Sequence, residues 1–583
     1  TVIIHLAARV GGIGANRVTM PYPDANSIEY WLREQRRNII WDADGIESRI
    51  SIGVPDGLSF IVNGKTDGNA MGDAPTQVGA ALVAAIVHPA PKRVLVIGLG
   101  TGQTAGWMAE MPGVEEVDVV ELEPAIDEMA RRVSDTNFNV LEHAKIRRIY
   151  NDGREHVVTA PEKYDIIISE PSNPYRAGVA ALYTTEFYNS VKEKLNPGGL
   201  LLQWMQAYEI DQYTLEIVLS TVRSVFDHIE VWQTLPSDIL MVCSPTPQRY
   251  TVEALRERMR EGALARGLSE VWKVDDLEGL LARFAISPQF VDGLKDAPRE
   301  ALNTDDRTLL EYGFAKTVGK QMHFSLDMLR NLSEEGDRRP PIDGEDIDWD
   351  QIERRRLEFN LLLDGELLEA QHLKPSERAL AAALLAFRQG RYQQALDAWP
   401  SEDGRAVGDV ERLAKATCYA ELADEECLEQ LAKLEGRQPG EAAFVRAKDN
   451  HRKQDMPAAA DALEQYFLGL QDSPFIMRNI SGNALELALL IGQDNDDAAR
   501  TFFKLLAEPL PGYRFELRRS FLRLLLASKL TNAEIIEAFE AMEPNVPWMP
   551  DILALRAKVY AEEGHPLASE AERDWQRFQR NAR

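Results

Sequence analysis

Residues 93–102 read RVLVIGLGTG, and this stretch decides the fold of the central part of the chain. Its run VLVI is apolar and mostly β-branched, which predicts a strand buried on both faces of a parallel sheet. Three glycines follow, Gly98, Gly100 and Gly102, before a predicted helix that starts near Thr104. Glycines there let the backbone approach a ligand, and the helix N-terminus presents free N–H groups. The stretch therefore predicts a strand–loop–helix unit that binds a ligand.

Strand and helix patterns alternate on both sides of this unit. Residues 48–62 (SRISIGVPDGLSFIV) predict a β-hairpin before it, because two β-rich runs flank a Pro-Asp-Gly turn. After it come four predicted strands separated by helices or turns, at residues 117–122, 146–151, 165–169 and 195–204. Residues 231–235 and 238–244 predict a closing antiparallel pair. This alternation predicts a doubly wound, Rossmann-like α/β sheet.

The remainder of the chain is predicted to be helical. We predict five parts: an N-terminal segment with the hairpin, the Rossmann-like domain, a helical extension, a charged Pro/Gly-rich linker and a helical repeat domain. Their bounds are 1–85, 86–245, 246–332, 333–351 and 352–583.

Predicted turns recur in the last part at separations of 31 to 38 residues, near Gly390, Ala423, Gln454, Gly492, Leu530 and Gly564. A period in the thirties is typical of stacked helical hairpins. The stretch FRQGRYQQALDAW resembles a tetratricopeptide repeat, with a plain helical bundle as the alternative.

The composition narrows the classes of partner and ligand. The 583 residues include 93 Asp and Glu against 65 Lys and Arg, a net charge of −28, which disfavours nucleic acid and attracts cations such as polyamines. The three cysteines fit a reducing compartment, so we expect a cytoplasmic protein. The histidines and cysteines lack ligand spacing, so no metal is predicted. Without an apolar run of 18 residues, no membrane span is expected in this chain.

Two acidic residues stand where a nucleoside ligand would lie. Glu121 ends the second strand of the predicted sheet, where a carboxylate can accept both ribose hydroxyls. A dinucleotide reading needs a third glycine at position 103, which is Gln103, so an adenosine ligand of S-adenosylmethionine type is favoured. Asp152, followed by Gly153, could reach the adenine amino group; an ordinary Asp-Gly turn is the alternative.

The loop after the fourth strand supplies the candidate for proton transfer. Residues 170–175 read EPSNPY, and the two prolines stiffen a loop at the carboxyl edge of the sheet. Glu170 could take a proton from an attacking amine if burial keeps its pKa high. The alternative is a rigid turn with a surface carboxylate.

From residue 46 to residue 244 the chain resembles the polyamine aminopropyltransferases of spermidine synthase type. The matching segments are the hairpin, HPAPKRVLVIGLGTG, VEEVDVVELEPAI, NDGREHV, YDIIISEPSNP, LYTTEFY and LNPGGLLLQW. The segment containing Asp73 and Gln77, GDAPTQ, is similar to a bacterial branch often fused behind a membrane transporter-like region. The resemblance implies a class I methyltransferase-type fold and decarboxylated S-adenosylmethionine as the donor. It also implies membrane association through a region absent from this chain as an alternative location.

The chain departs from that family at charged positions. Thr101 stands where the family has the aspartate that binds the donor's ammonium group, and Glu170 and Asn173 stand at the two aspartates of its gate loop. Asp67 and Asp73 are candidate replacement carboxylates; for Asp73 the alternative is an N-cap. Gln77 and Tyr175 complete the predicted substrate-binding set.

Three functions stay open from the sequence. The first is an aminopropyltransferase that acts on a small-molecule amine, with Glu170 as the base. The second is an S-adenosylmethionine-dependent methyltransferase, and the third is a catalytically idle nucleoside-binding scaffold. We expect the helical repeats to bind a protein partner, and a homodimer is one expected assembly.

Overall fold

The computed structural model describes residues 24–54, 56–176, 178–236, 238–293, 301–317, 339–360, 373, 375–400 and 407–582. These residues form two compact units. The described residues up to Gly72 join those from Pro439 onwards in one unit, and Asp73–Gln438 forms the other. Contacts distant in sequence thus join the two ends of the chain in one unit, and the five predicted parts stay a prediction.

The N-terminal residues form one helix and a small sheet. Helix α1 (Ala25–Asn38) begins after Asp24, whose carboxylate accepts a hydrogen bond of 2.6 Å from the N–H of Ser27. Strands β1 (Ile39–Asp44), β2 (Arg49–Gly53), β3 (Ser59–Val62) and β4 (Lys65–Asn69) then form an antiparallel sheet in sequence order. The pairing of β2 with β3 confirms the predicted hairpin.

The second unit is built around an eight-stranded sheet. Its first elements are α2 (Ala74–Val87), β5 (Arg93–Ile97), α3 (Gln103–Glu110), β6 (Glu116–Glu121), α4 (Asp127–Arg132), β7 (Ile146–Tyr150), α5 (Gly153–Thr159), β8 (Tyr164–Ser169), α6 (Thr185–Lys194) and β9 (Leu195–Gln206). The next are α7 (Gln212–Arg223), β10 (His228–Leu235), β11 (Asp238–Ser244), β12 (Tyr250–Thr251), α8 (Val252–Arg258), α9 (Gly262–Glu270), α10 (Leu277–Leu281), β13 (Phe284–Ile286), α11 (Pro288–Asp292) and α12 (Leu309–Thr317).

The strand order explains where a ligand can bind. The order is β13-β10-β11-β9-β8-β5-β6-β7, with β9, β8, β5, β6 and β7 parallel and the other three strands antiparallel. Both the Rossmann-like sheet and the closing antiparallel pair are thus confirmed. Strand β5 is central, and the chain leaves it toward β6 on one side and β8 on the other. This switch point is where doubly wound sheets bind ligands.

Buried small residues let helix α2 lie close to its neighbours. A Cβ on Gly79 would come within 2.8 Å of the Trp272 indole, so the helix needs a glycine there. The Trp272 indole N–H donates a 2.8 Å hydrogen bond to the carbonyl of Pro75 in the first turn of the same helix. Trp272 therefore attaches the helical extension to the start of α2.

The described part of the predicted linker contains regular structure. Strand β14 (Ile342–Asp343) pairs with β12, and α13 (Trp349–Glu358) begins inside the predicted linker. Arg355 of α13 is buried, and its guanidinium contacts Asp276 at 2.7 Å and Glu358 at 3.0 Å. The pair with Asp276 attaches α13 to the helical extension, whereas the pair with Glu358 lies within α13. The predicted linker residues 333–338 lie outside the described residues.

The C-terminal residues form successive helical hairpins. The helices are α14 (Pro375–Arg388), α15 (Tyr392–Ala398), α16 (Asp409–Glu421), α17 (Glu426–Leu434), α18 (Pro439–Arg452), α19 (Met456–Gly469), α20 (Arg478–Asp494), α21 (Asp496–Leu505), α22 (Glu516–Ala527), α23 (Asn532–Glu540), α24 (Pro550–Glu562) and α25 (Ala568–Asn581). Helices α14 to α17 belong to the unit with the large sheet, and α18 to α25 to the other unit.

Five of the six predicted turns lie between helices, and one does not. Gly492 lies inside α20, and a Cβ there would meet Leu526 of α22 at 2.5 Å. That glycine is required by close packing of two helices, which local sequence does not reveal. The turn itself falls at Asn495, whose side chain caps the start of α21.

The N-terminal residues pack on the C-terminal helices within their unit. The N–H of Leu58 donates a 2.7 Å hydrogen bond to the carbonyl of Gly512. Arg33 of α1 contacts Asp574 of α25 at 3.0 Å and lies over the Trp548 ring. The hairpin sheet and the last helices therefore form one body, although more than 400 residues separate Leu58 from Gly512.

Candidate functional site

The loop after β5 has a backbone that only glycine adopts without strain. Gly98, Gly100 and Gly102 have φ values of 100°, 53° and 78°. A Cβ on Gly98 would lie 2.8 Å from the carbonyl oxygen of Glu170, and one on Gly102 would lie 2.5 Å from Val140. The glycines thus let the loop turn closely between the ends of β5 and β8.

Glu121 lies against this loop. It is half-buried at the end of β6, and Oε2 accepts a 2.8 Å hydrogen bond from the N–H of Leu99 while Oε1 accepts one of 2.9 Å from the N–H of Glu123. Burial raises the pKa of Glu121, and these backbone donors act in the opposite direction. The structure thus places Glu121, the predicted acceptor of the ribose hydroxyls, against the predicted glycine loop.

Asp152 is the N-cap of α5. Its exposed carboxylate accepts a 2.8 Å hydrogen bond from the N–H of Glu155, which fixes the start of the helix. A Cβ on Gly153 would lie 2.4 Å from Ile97 Cγ2, so this glycine lets α5 start against the end of β5. An adenine contact from Asp152 stays a prediction.

Glu170 begins the loop that follows β8. Its N–H donates a 3.1 Å hydrogen bond to the carbonyl of Ile97, which holds the loop beside the glycine turn. Burial raises the pKa of its carboxyl to about 8, the hydrogen bond with Thr104 lowers that pKa, and the negative charge of Asp238 raises it. A carboxyl with such a pKa can gain or lose a proton near neutral pH.

A second set of contacts joins the start of α2 to the glycine loop. The Thr101 hydroxyl donates a hydrogen bond to Oε1 of Gln77, and the Thr104 hydroxyl donates one of 2.9 Å to the carbonyl of Gln77. Asp73 stands at the N-cap position of α2, but its side chain makes no capping hydrogen bond. Gln77 and Thr101 are thus in contact, whereas the roles of Asp73 and Gln77 toward a substrate stay predictions.

Asn173 is the centre of a buried polar cluster. Its side chain is buried, and Nδ2 donates to Oε1 of Gln206 and, at 2.8 Å, to the hydroxyl of Tyr208. The hydroxyl of Tyr175 donates a 3.3 Å hydrogen bond to Oδ1 of Asn173. Asn173 therefore ties the gate loop, residues 170–175 after β8, to the end of β9.

Asp67 belongs to the other compact unit. It lies on β4, and Oδ1 is 3.9 Å from the Lys65 ammonium group. Among the described residues, no group of three or more His, Cys, Asp or Glu side chains is arranged to hold a metal ion. No helix within the described ranges is long and apolar enough to span a membrane.

Comparison with known proteins agrees with this geometry. Residues 80–240 match the spermine/spermidine synthase domain. The matched segment contains the glycine loop, Glu121, Glu170 and Asn173.

Polyamine aminopropyltransferases share this domain at low identity. The chain is 30% identical over 148 residues to the polyamine aminopropyltransferase of Korarchaeum cryptofilum, a match that covers 24% of this chain and 46% of that protein. It is 27% identical over 223 residues to the polyamine aminopropyltransferase of Methanocaldococcus jannaschii, covering 37% and 72%. The chain spans about half the length of several curated relatives that it matches. A spermidine synthase structure in complex with the transition-state analogue AdoDATO shares 22% identity with a TM-score of 0.36, covering 44% of this chain and 88% of that chain.

Sequence reasoning missed several side chains in and around the matched synthase domain. They carry no local signal, because each reaches the site through a contact between distant elements: Thr76, Thr104, Trp204, Gln206, Tyr208 and Asp238. Only the predicted pairing of residues 231–235 with 238–244 could have drawn attention to Asp238, which begins β11 directly after the turn between those strands.

Proposed function

We propose that this chain transfers an aminopropyl group from decarboxylated S-adenosylmethionine to an amine and releases methylthioadenosine. The match of residues 80–240 to the spermine/spermidine synthase domain supports the reaction class. The glycine loop and Glu121, which lie together at the sheet's switch point, support an adenosyl donor.

We assign Glu121 as the residue that binds the donor's ribose. Its carboxylate accepts backbone N–H groups, with Oε2 bonded to Leu99 and Oε1 to Glu123, and these bonds fix the orientation of the group. A carboxylate has more lone pairs than its backbone bonds use, so it can also accept a ribose hydroxyl. The half-buried position strengthens such charged hydrogen bonds.

Glu170 is assigned as the general base, and its raised pKa beside the glycine loop is the single observation that carries the proposal. In the reaction the amine nitrogen forms a bond to the terminal propyl carbon as the carbon–sulfur bond breaks. The nitrogen's proton passes to the Glu170 carboxylate, and the electron pair of the broken bond stays on sulfur. Most of the rate enhancement comes from holding nitrogen and carbon in line, because a sulfonium is already a good leaving group.

The test is release of methylthioadenosine from decarboxylated S-adenosylmethionine with a panel of di- and polyamines. We expect Glu170→Gln to lower the rate by about 10²- to 10⁴-fold, the usual contribution of a general base, while donor binding survives. Glu193→Gln, on an exposed face of α6, is the control and should keep the full rate.

No release with any amine, together with intact donor binding, would refute aminopropyl transfer. Methyl transfer from S-adenosylmethionine to an amine would instead establish the methyltransferase alternative. Binding of the nucleoside without turnover of either donor would leave the scaffold function.

A further inference from the structure

Asp238 is a buried carboxylate near the proposed base. It is only 6% exposed, at the start of β11. Its Oδ2 accepts a 2.9 Å hydrogen bond from the Thr76 hydroxyl, and its Oδ1 accepts one of 3.0 Å from the Trp204 indole N–H. Two neutral donors on separate elements thus fix the orientation of the Asp238 carboxylate.

The sheet register places Asp238 on the same face of the sheet as Gln206, a member of the buried polar cluster around Asn173. Asp238 and Gln206 are directly opposite each other in the antiparallel pair of β11 and β9, and opposite residues share a face. Gln206 accepts the hydrogen bond from Asn173, and Trp204, two residues earlier on β9, shares that face. The carboxylate therefore lies at the edge of the sheet where the gate loop begins.

Electrostatics connect Asp238 with Glu170. The negative charge of Asp238 is one cause of the raised pKa of the Glu170 carboxyl. Two carboxylates that repel each other in a partly buried site are relieved by a cation that both can contact. An incoming amine is such a cation, since alkylamines are protonated at neutral pH.

Two other candidate site residues, Thr101 and Asn173, carry no charge that could bind an amine. Thr101 donates its hydroxyl to Gln77, and Asn173 donates its amide to Gln206 and Tyr208. Both side chains are neutral and both are committed to bonds within the protein. Neither side chain can therefore supply negative charge to an amine, whereas the buried carboxylate of Asp238 can.

We propose that Asp238 is the fixed anion that binds the ammonium group of the amine acceptor and holds it next to Glu170. This assignment rests on the proposed function and extends it to the acceptor. Thr76 and Trp204 position the carboxylate. Asp238 is the anchor, and Glu170 accepts the proton that leaves the nitrogen. The acceptor is therefore a cationic amine; a neutral nucleophile gains nothing from Asp238.

Asp238→Asn tests the assignment in the turnover assay. The substitution keeps the shape of the side chain and removes its charge. We expect the KM for the amine to rise about 10- to 100-fold, the effect of losing one charged hydrogen bond, with an unchanged Kd for methylthioadenosine. The pH midpoint that reports Glu170 should move to lower pH, which a purely structural role would not produce. Asp227→Asn, an exposed carboxylate beside Arg223, is the matched control and should change neither quantity.

Calorimetric binding of the amine, with methylthioadenosine present, separates this proposal from the proposed function. One outcome supports the anchor alone: the unmodified chain binds the amine, Asp238→Asn does not, and neither protein releases methylthioadenosine. In that case the proposed reaction is wrong, but the role of Asp238 in binding the amine stands. Equal amine affinity in the two proteins, or no amine binding by the unmodified chain, overturns the anchor.

If Asp238→Asn does not fold, Glu170→Gln decides the question. Glu170→Gln mimics the protonated carboxyl, so below pH 8 it should bind the amine as tightly as the unmodified chain does. Loss of amine binding in that variant would transfer the anchoring role to Glu170 and overturn the proposal.

Discussion

The backbone N–H of Leu99 donates a 2.8 Å hydrogen bond to Oε2 of Glu121. Leu99 lies in the glycine loop after β5 and Glu121 ends β6, so one bond joins the two parts of the proposed adenosyl site. Because a second bond from Glu123 orients the same carboxylate, the site is ordered before a ligand arrives.

The first prediction concerns that carboxylate. Glu121→Gln should weaken binding of methylthioadenosine by about 10- to 100-fold, because the ribose hydroxyls lose a charged acceptor and the backbone donors meet a neutral amide. Isothermal calorimetry measures the change. Glu116→Gln, at the opposite end of β6 and paired with Arg93, is the control. Equal affinity in Glu121→Gln and the unmodified chain would remove Glu121 from the site.

The second prediction follows from the pKa of Glu170. In the folded protein that pKa is raised to about 8 from an ordinary value of 4.5, because burial disfavours the charged carboxylate. Between these two pH values the folded state keeps a proton that the unfolded chain has lost, so stability falls as pH rises. Glu170→Gln removes this dependence. The Tm of the variant minus the Tm of the unmodified chain should therefore become more positive from pH 5 to pH 9. A difference independent of pH would show an unshifted carboxyl.

The same pKa predicts how the rate depends on pH. The base form of Glu170 forms as pH rises through about 8, so kcat/KM for the amine should rise over that range. Burial is the main cause of this raised pKa; the hydrogen bond with Thr104 on α3 lowers the pKa, and the charge of Asp238 on β11 raises it. A rate that falls as pH rises through 8 would contradict Glu170 as the base.

The third prediction concerns Asn173, in the loop after β8. Asn173→Asp replaces a buried donor with a carboxylate next to the Gln206 oxygen, so we expect a loss of about 1–3 kcal/mol in the free energy of unfolding. Thermal and denaturant unfolding measure the loss. Asn189→Asp, on an exposed helix face, should be nearly neutral. A stabilised Asn173→Asp protein would contradict this prediction, and a more active one would show that the position has a role in amine binding.

The fourth prediction concerns Gly106, within α3. Glycine to alanine usually stabilises a helix by about 1 kcal/mol. Here a Cβ would lie 1.9 Å from the carbonyl oxygen of Asn137, whose amide holds the carbonyls of Thr101 and Ala130 at 2.9 and 2.7 Å. We therefore expect Gly106→Ala to lower stability, by about 1–3 kcal/mol. Gly469→Ala, in α19 with no atom within 4 Å of its Cβ, should be neutral or stabilising. Equal effects would mean that Asn137 moves freely.

Local patterns were sufficient for the elements that form the sheet. The apolar run before Gly98 could only be satisfied by burial on both faces, and β5 does lie between β6 and β8. The Pro-Asp-Gly turn and the glycines with positive φ predicted chain reversals, because their conformational preferences act within a few residues. The proximity of Glu121 to the glycine loop followed from parallel strands ending at one edge.

Contacts between distant residues required the tertiary structure. Asp238 contacts Thr76 across 162 residues, and only the pairing of β11 with β9 and the position of α2 bring them together. The same holds for the pKa of Glu170, which depends on burial and on Asp238 rather than on its neighbours in sequence.

Backbone preferences and apolar spacing over short stretches were enough to predict the glycine turn and the order of strands along the chain. The tertiary structure was needed to show that the N-terminal sheet packs on the C-terminal helices, that Asn173 bonds to Gln206, and that Asp238 lies opposite Gln206 in the sheet. Burial, charge and hydrogen bonding at those places arise from contacts across hundreds of residues, which no local pattern encodes.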